Sequence, residues 1–187
     1  VCLGSDIRND LPEYTAHTCL FQNSFDVVDF NLSYNKVKPM KDNFFTLENL
    51  GEKRSWILDS RNVGYYIPEG QPFKVSYNLQ KSRCFQDRFD TEAKIEKAWL
   101  EHGHAPDGVG YEYAVKVNTS ASVMQAFAAS KPYKVIQKDS KAHIVEHPES
   151  SSLGCVVFQQ DYNLNAGALK GVSHSCILML KENKGTL

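Results

Sequence analysis

Phe73-Lys74-Val75-Ser76-Tyr77-Asn78-Leu79-Gln80 decides the fold class. Phe73, Val75, Tyr77 and Leu79 alternate with Lys74, Ser76, Asn78 and Gln80, and successive side chains of an extended chain point to opposite faces. The stretch therefore reads as a strand with one apolar and one wet face. The same period recurs on both sides of it. Upstream, Val28, Phe30, Leu32 and Tyr34 alternate with Asp29, Asn31, Ser33 and Asn35. Downstream, Tyr111, Tyr113, Val115 and Val117 alternate with Glu112, Lys116 and Asn118.

Shorter strand candidates fill the intervals: 15–22, 55–59, 64–68, 95–102, 133–137, 142–146, 153–159 and 173–180. Glu69-Gly70 and Asp107-Gly108 supply turn signals, and the polar segment 80–91 reads as a loop. Many short strands with one wet face each favour antiparallel sheets packed face to face over a parallel sheet with crossover helices. The expected fold class is all-β with one short helix, an antiparallel β-sandwich in a single domain over residues 1–187. The helix is expected near 120–130, with Asn118 or Thr119 accepting its first free amides, Val123 and Phe127 on one stripe, and Pro132 after its end.

With 187 residues the chain can bury a sizeable core, and 42% hydrophobic with 23% charged residues is ordinary globular composition. The formal charge of −1 gives no basic footprint for nucleic acid. The longest clean apolar run, Cys176 to Leu180, is far below the roughly 18 residues of a membrane helix. Cys2, Cys19, Cys84, Cys155 and Cys176 occur singly, and at least four are expected as small buried hydrophobes. Val1 stands without an initiator Met or a leader, and Lys181 to Gly185 reads as a turn after the last apolar run. Both ends are expected to belong to a longer polypeptide.

Phosphate loops, GxSxG, HExxH and EF-hand spacings are absent. His102 and His104 flank Gly103 and could offer two metal ligands on one strand face. With no further ligands identifiable, the expectation is no metal and an ordinary strand-end histidine. His143 and His147 read as the exposed face of a strand. Glu112 lacks a second carboxylate at a placeable spacing and reads as solvated or Lys-paired. Trp56, Tyr65, Tyr66 and Tyr77 could be sugar-stacking platforms, but aromatics in strands read first as core.

The run Trp99-Leu-Glu-His102-Gly103-His-Ala-Pro106-Asp-Gly-Val-Gly-Tyr111-Glu112-Tyr113 resembles the W-x-x-H-G-x-x-P…Y-x-Y run of bacterial family-eight polysaccharide lyases, which act on hyaluronate, chondroitin and xanthan. Leu3 to Ile7, Thr18 to Gln22, Trp56 to Asp59, Gly64 to Tyr66, Tyr133 to Asp139 and His143-Ile144 agree in order, so the likeness covers most of the chain. It is most similar to the chondroitin sulfate ABC lyases. Gly103-His104-Ala105 and Val109-Gly110 follow the pattern only loosely.

The resemblance implies a segment of the β-supersandwich region of a larger secreted or periplasmic lyase, packed against an α-helical toroid of the same protein. It implies β-elimination on a glycosaminoglycan, with chondroitin or dermatan sulfate first and hyaluronan as a further candidate. The family's catalytic His, Tyr and Arg lie on the toroid and a supporting Glu precedes this segment. No catalytic residue, cofactor or metal ligand therefore carries over, and the segment's implied work is to scaffold and wall the cleft. Trp99, Tyr111 and Tyr113 are then expected to anchor the core, and Gly103 with Pro106 to shape a turn. The rival from another class is an autonomous carbohydrate-binding module without activity.

Overall fold

The computed structural model describes residues 1–24, 30–32, 36–37, 44–83, 90–166 and 169–181. Its strands are β1 (Cys2–Arg8), β2 (Thr15–Ser24), β3 (Phe30–Leu32), β4 (Lys36–Val37), β5 (Phe45–Asn49), β6 (Ser55–Leu58), β7 (Gly64–Ile67), β8 (Phe73–Arg83), β9 (Asp90–His104) and β10 (Asp107–Lys116). The helix α1 (Ala121–Ser130) follows. After it come β11 (Lys134–Lys138), β12 (Ala142–His147), β13 (Ser152–Val157), β14 (Tyr162–Ala166), β15 (Leu169–Val172) and β16 (Cys176–Lys181).

Every pairing among these strands is antiparallel. One sheet runs β1-β10-β7-β6-β3-β4 and a second β2-β9-β8-β5. Between them lies the first core, with Leu20, Phe21, Phe73, Val75, Tyr77, Ala98 and Leu100 from the second sheet meeting Ile57, Tyr65 and Ile67 from the first. The alternating rows are thus the inner faces of a β-sandwich. β6 and β7 are buried on both sides, because α1 covers the outer face of the first sheet. Met124 and Ala128 of α1 pack there on Trp56, Leu58, Tyr66 and Ala114. A third sheet, β11-β12-β13-β16, gathers Ala142, Ile144, Cys155 and Val157 under Leu164 of β14.

The chain changes sheet twice at one corner. β1 and β10 pair in the first sheet while β2 and β9 pair in the second. The two crossings are tied by Asn9 N–H donating to the Pro106 carbonyl at 3.0 Å.

The structure corrects several expectations. Segment 80–91 is strand at both ends, since β8 and β9 pair as far as Arg83 opposite Asp90; a polar composition suits a ribbon with wet faces. Asp107-Gly108 already belongs to β10, and the turn is Ala105-Pro106. Ser120, rather than Asn118 or Thr119, caps α1, its Oγ accepting from Val123 N–H at 3.4 Å. The buried stripe of α1 is Met124 and Ala128, and Val123 is exposed. Of the cysteines in the described residues only Cys155 is buried; Cys19 is exposed, and Cys2 and Cys176 are half-buried. β1, β4, β5, β14 and β15 were not read from the sequence. Cys84, residues 84–89, most of the alternating run 28–35 and the turn beyond Lys181 lie outside the described residues.

Candidate functional site

The Trp99–Tyr113 run occupies the sheet-changing corner. Near the end of β9, Gly103 faces Ala16 and Glu101 faces His17, leaving His102 as the extra residue of a bulge. Gly103 takes a φ of 78°, a left-handed conformation that glycine adopts without a Cβ clash. His102 Nε2 shares a hydrogen bond of 2.8 Å with Thr18 Oγ1. Its ring stacks on Tyr111, with centroids 6.0 Å apart and planes at 26°, and Tyr111 stacks on Tyr113 at 5.8 Å and 29°. A ladder of three aromatic rings thus bridges the second sheet to the first. It needs a bare backbone opposite: Gly4 pairs with Tyr111, and a Cβ on Gly4 would fall inside the Tyr111 ring.

The ladder is uncharged at neutral pH. Burial, helped by the nearby His17, lowers the proton affinity of His102 against the opposing pull of Glu101. Burial raises Tyr111. It also raises Tyr113, with the nearby Cys2 thiol adding to the effect. Two phenols and a neutral imidazole offer hydrogen bonds and flat apolar faces rather than a ready anion.

Glu112 points to the other side of β10. Tyr133 donates its hydroxyl to Glu112 Oε1 at 2.8 Å, and Lys131 Nζ reaches the same oxygen at 2.9 Å. The Lys131 ammonium also sits 5.2 Å from the Tyr133 ring centroid. The Gln71 side chain brackets the Glu112 backbone with two hydrogen bonds of 2.6 Å. The Lys-paired alternative is correct, and the carboxylate is sheltered rather than solvated. Held by two donors, it serves as an acceptor that fastens the end of α1 to β10.

The remaining predicted residues disperse. Trp99 does not anchor the core: with Glu96, Ala98 and Leu100 turned inward, it lies half-buried on the outer face of the second sheet. There Lys97 Nζ stands 4.7 Å from its ring centroid, and its Nε1 donates to Glu101. Tyr111 and Tyr113 do pack against the first core. Trp56, Tyr65, Tyr66 and Tyr77 are buried. His104 bonds the Pro12 carbonyl at 2.9 Å. His143, expected exposed, is half-buried, bonded to Ser5 Oγ at 2.9 Å and edge-on to Phe158. His147 is also half-buried, and its Nδ1 accepts from Ser150 N–H at the start of a short 3-10 turn. Among the described residues no group of three or more His, Cys, Asp or Glu is placed to hold a metal ion. No helix among them is long and apolar enough to cross a membrane.

Beside the ladder, a groove of about 680 Å³ runs between β1 and β10 of the first sheet and β12, β13 and β16 of the third. Tyr111, Tyr113 and Tyr133 line it on one side, and His143, Val145 and the outward face of β16 on the other. On β16, Ile177 is 82% and Met179 81% exposed. The groove is aromatic and aliphatic, and no Lys or Arg stands among its described lining residues.

Over 97% of its length the chain is 33% identical to a chondroitin sulfate ABC exolyase of Bacteroides thetaiotaomicron, and over its full length 28% identical to a chondroitin sulfate ABC endolyase of Proteus vulgaris. The chain is a homologue of these polysaccharide lyases. It spans 17% and 18% of those two relatives, so it corresponds to a segment of these larger lyases. No protein-family model matches it. Among solved structures, a chondroitinase AC lyase superposes with a TM-score of 0.79 at 20% identity, covering 99% of this chain and 27% of that one. A Paenibacillus xanthan lyase gives 0.76 at 18% identity, covering 97% of this chain and 18% of its own.

In this lyase homologue, the partners Thr18, Gly4, Lys131 and Tyr133 were not identified from sequence. Each lies far along the chain from the residue it serves, and no periodic or spacing signal links them.

Proposed function

We propose that this chain is the β-sandwich portion of a lyase that depolymerises uronic-acid glycosaminoglycans of the chondroitin sulfate type by β-elimination, and that the portion itself scaffolds the enzyme and walls its glycan cleft. The observation that carries this is the identity to a chondroitin lyase along 97% of the chain. The geometry supports the wall rather than the chemistry. Eliminating across a uronate ring needs a base and a group that neutralises the carboxylate, converging on one sugar. The ladder supplies protonated phenols and an imidazole held by Thr18, and the groove beside it, lined by His143 and His147, has no Lys or Arg among its described lining residues to neutralise a uronate carboxylate.

The test has two arms. The full-length protein incubated with chondroitin sulfate should develop the ultraviolet absorbance of an unsaturated uronate, whereas the 187-residue chain alone should develop none. A full-length protein inert on every uronic-acid glycan would remove the lyase reading. Activity in the isolated chain would remove the scaffold reading. Tight binding of chondroitin oligosaccharides to the isolated chain by calorimetry, with no cleavage by the full-length protein, would favour a binding module.

A further inference from the structure

A polar cluster crosses the sandwich away from the ladder. Glu96, in the inward row of β9, is 0% exposed. Its Oε1 accepts from Ser60 Oγ at 2.7 Å, from Asn23 Nδ2 at 2.9 Å and from Ser60 N–H at 3.4 Å. The same Asn23 nitrogen donates to Asp59 Oδ2 at 3.2 Å, so one amide stands between two buried carboxylates. Asp59 is engaged as a full acceptor. Its Oδ1 takes the N–H groups of Arg61 and Val63 at 2.9 and 2.8 Å, and its Oδ2 also takes the Tyr65 hydroxyl at 3.5 Å. Glu96 Oε2, by contrast, is buried with no hydrogen-bond partner.

An anionic oxygen left bare in a core, beside a second carboxylate, is among the costliest arrangements a fold can hold. A metal ion is a poor remedy, because every other carboxylate oxygen of the pair already accepts from N–H or O–H donors. We infer that Glu96 is held as the neutral acid with its proton on Oε2, and that Glu96 and Asp59 form a proton-dependent clasp between the two sheets. Asn23 of β2 and Glu96 of β9 belong to one sheet. Asp59, just beyond β6, and Tyr65 of β7 belong to the other.

The titratable groups facing the clasp are Asp59 beyond β6, Tyr65 on β7, Tyr77 on β8 directly opposite Glu96, and Cys19 on β2. Burial is the largest influence raising the proton affinity of Glu96. The bonds from Ser60 and Asn23 oppose it, and the charge of Asp59 adds to it. A carboxyl raised in the folded state stabilises fully below its unfolded value of about 4.3, and that contribution is lost as pH rises through the folded value. The loop beyond Asp59 is tied to the residue before the α1 cap by Thr119 N–H donating to the Asn62 carbonyl at 2.9 Å. Opening the clasp would therefore loosen the helix start as well.

Urea unfolding of the chain across about pH 5 to 9 tests this. The wild-type midpoint should fall relative to that of Glu96→Gln as pH rises, and Asp59→Asn should move this relative fall to lower pH. Infrared spectra of chain carrying isotope-labelled glutamate give a readout that depends on no variant folding. A protonated carboxyl band should persist at about pH 6, where ordinary glutamates are ionised, and vanish on further alkalinisation. A fall in Glu96→Gln parallel to the wild type, or no protonated glutamate band at that pH, overturns the inference.

Discussion

Tyr133 donates its hydroxyl to Glu112 at 2.8 Å, joining the segment after α1 to a strand of the first sheet. Lys131 reaches the same oxygen, so Tyr133→Phe leaves the carboxylate paired and should cost about 1–2 kcal/mol. The double variant with Glu112→Gln should lose less than the two single losses combined, because the groups share one network. Strict additivity in denaturant titrations would show that the bond does not couple them.

Trp99 lies on the outer face of its sheet, whereas Tyr66 is enclosed between the first sheet and α1. Tyr66→Ala should therefore cost about 3–5 kcal/mol and Trp99→Ala only about 1–2 kcal/mol, despite the larger ring removed. If unfolding midpoints order the two variants the other way, the assignment of faces on β9 is mistaken.

Ser120 caps α1, and Thr119 next to it has a buried hydroxyl oxygen without a partner. Ser120→Ala should cost about 1 kcal/mol. Thr119→Val, which keeps the shape and deletes the orphaned group, should stay within about 0.5 kcal/mol of wild type or stabilise slightly. Equal losses at the two positions, read by thermal unfolding, would contradict the capping geometry.

His102 is held neutral by burial, its folded proton affinity lying below the unfolded value of about 6.5. The unfolded chain then binds more protons between the two values, so stability is complete above about pH 6.5 and declines as pH falls toward the folded value. Below pH 6.5, His102→Gln should show a shallower acid decline than wild type. His143, also lowered by burial, should contribute a separate share, removed by His143→Gln. An undiminished slope in the double variant would exclude both imidazoles as the cause.

The sequence was legible where one physical rule acts locally. Period-two alternation marks Phe73 to Tyr77 and Tyr111 to Tyr113 correctly, because a pleated chain keeps one row of side chains out of water. It overreached at Leu79, Val115 and Val117, which are exposed, while Ala114 of the opposite row is buried. It failed where two rules give one pattern. The polar run 80–91 suits a loop and an exposed β-ribbon equally. Trp99 alternates with Leu100 whichever of the two faces inward, and only packing the second sheet on the first selected Leu100.

The order of residues by itself therefore determined most of the strands, the antiparallel sandwich and, through a run of matched motifs, the lyase relationship. The tertiary structure alone decided which side chains meet. His102 stacks on Tyr111, Tyr133 finds Glu112, and Asn23 stands between Asp59 and Glu96 because strands distant in sequence are brought into register across two sheets. Alternation along a strand fixes the face a residue presents. What it touches there depends on strand order, bulges and sheet changes, and these follow from burying the whole core at once rather than from any local stretch.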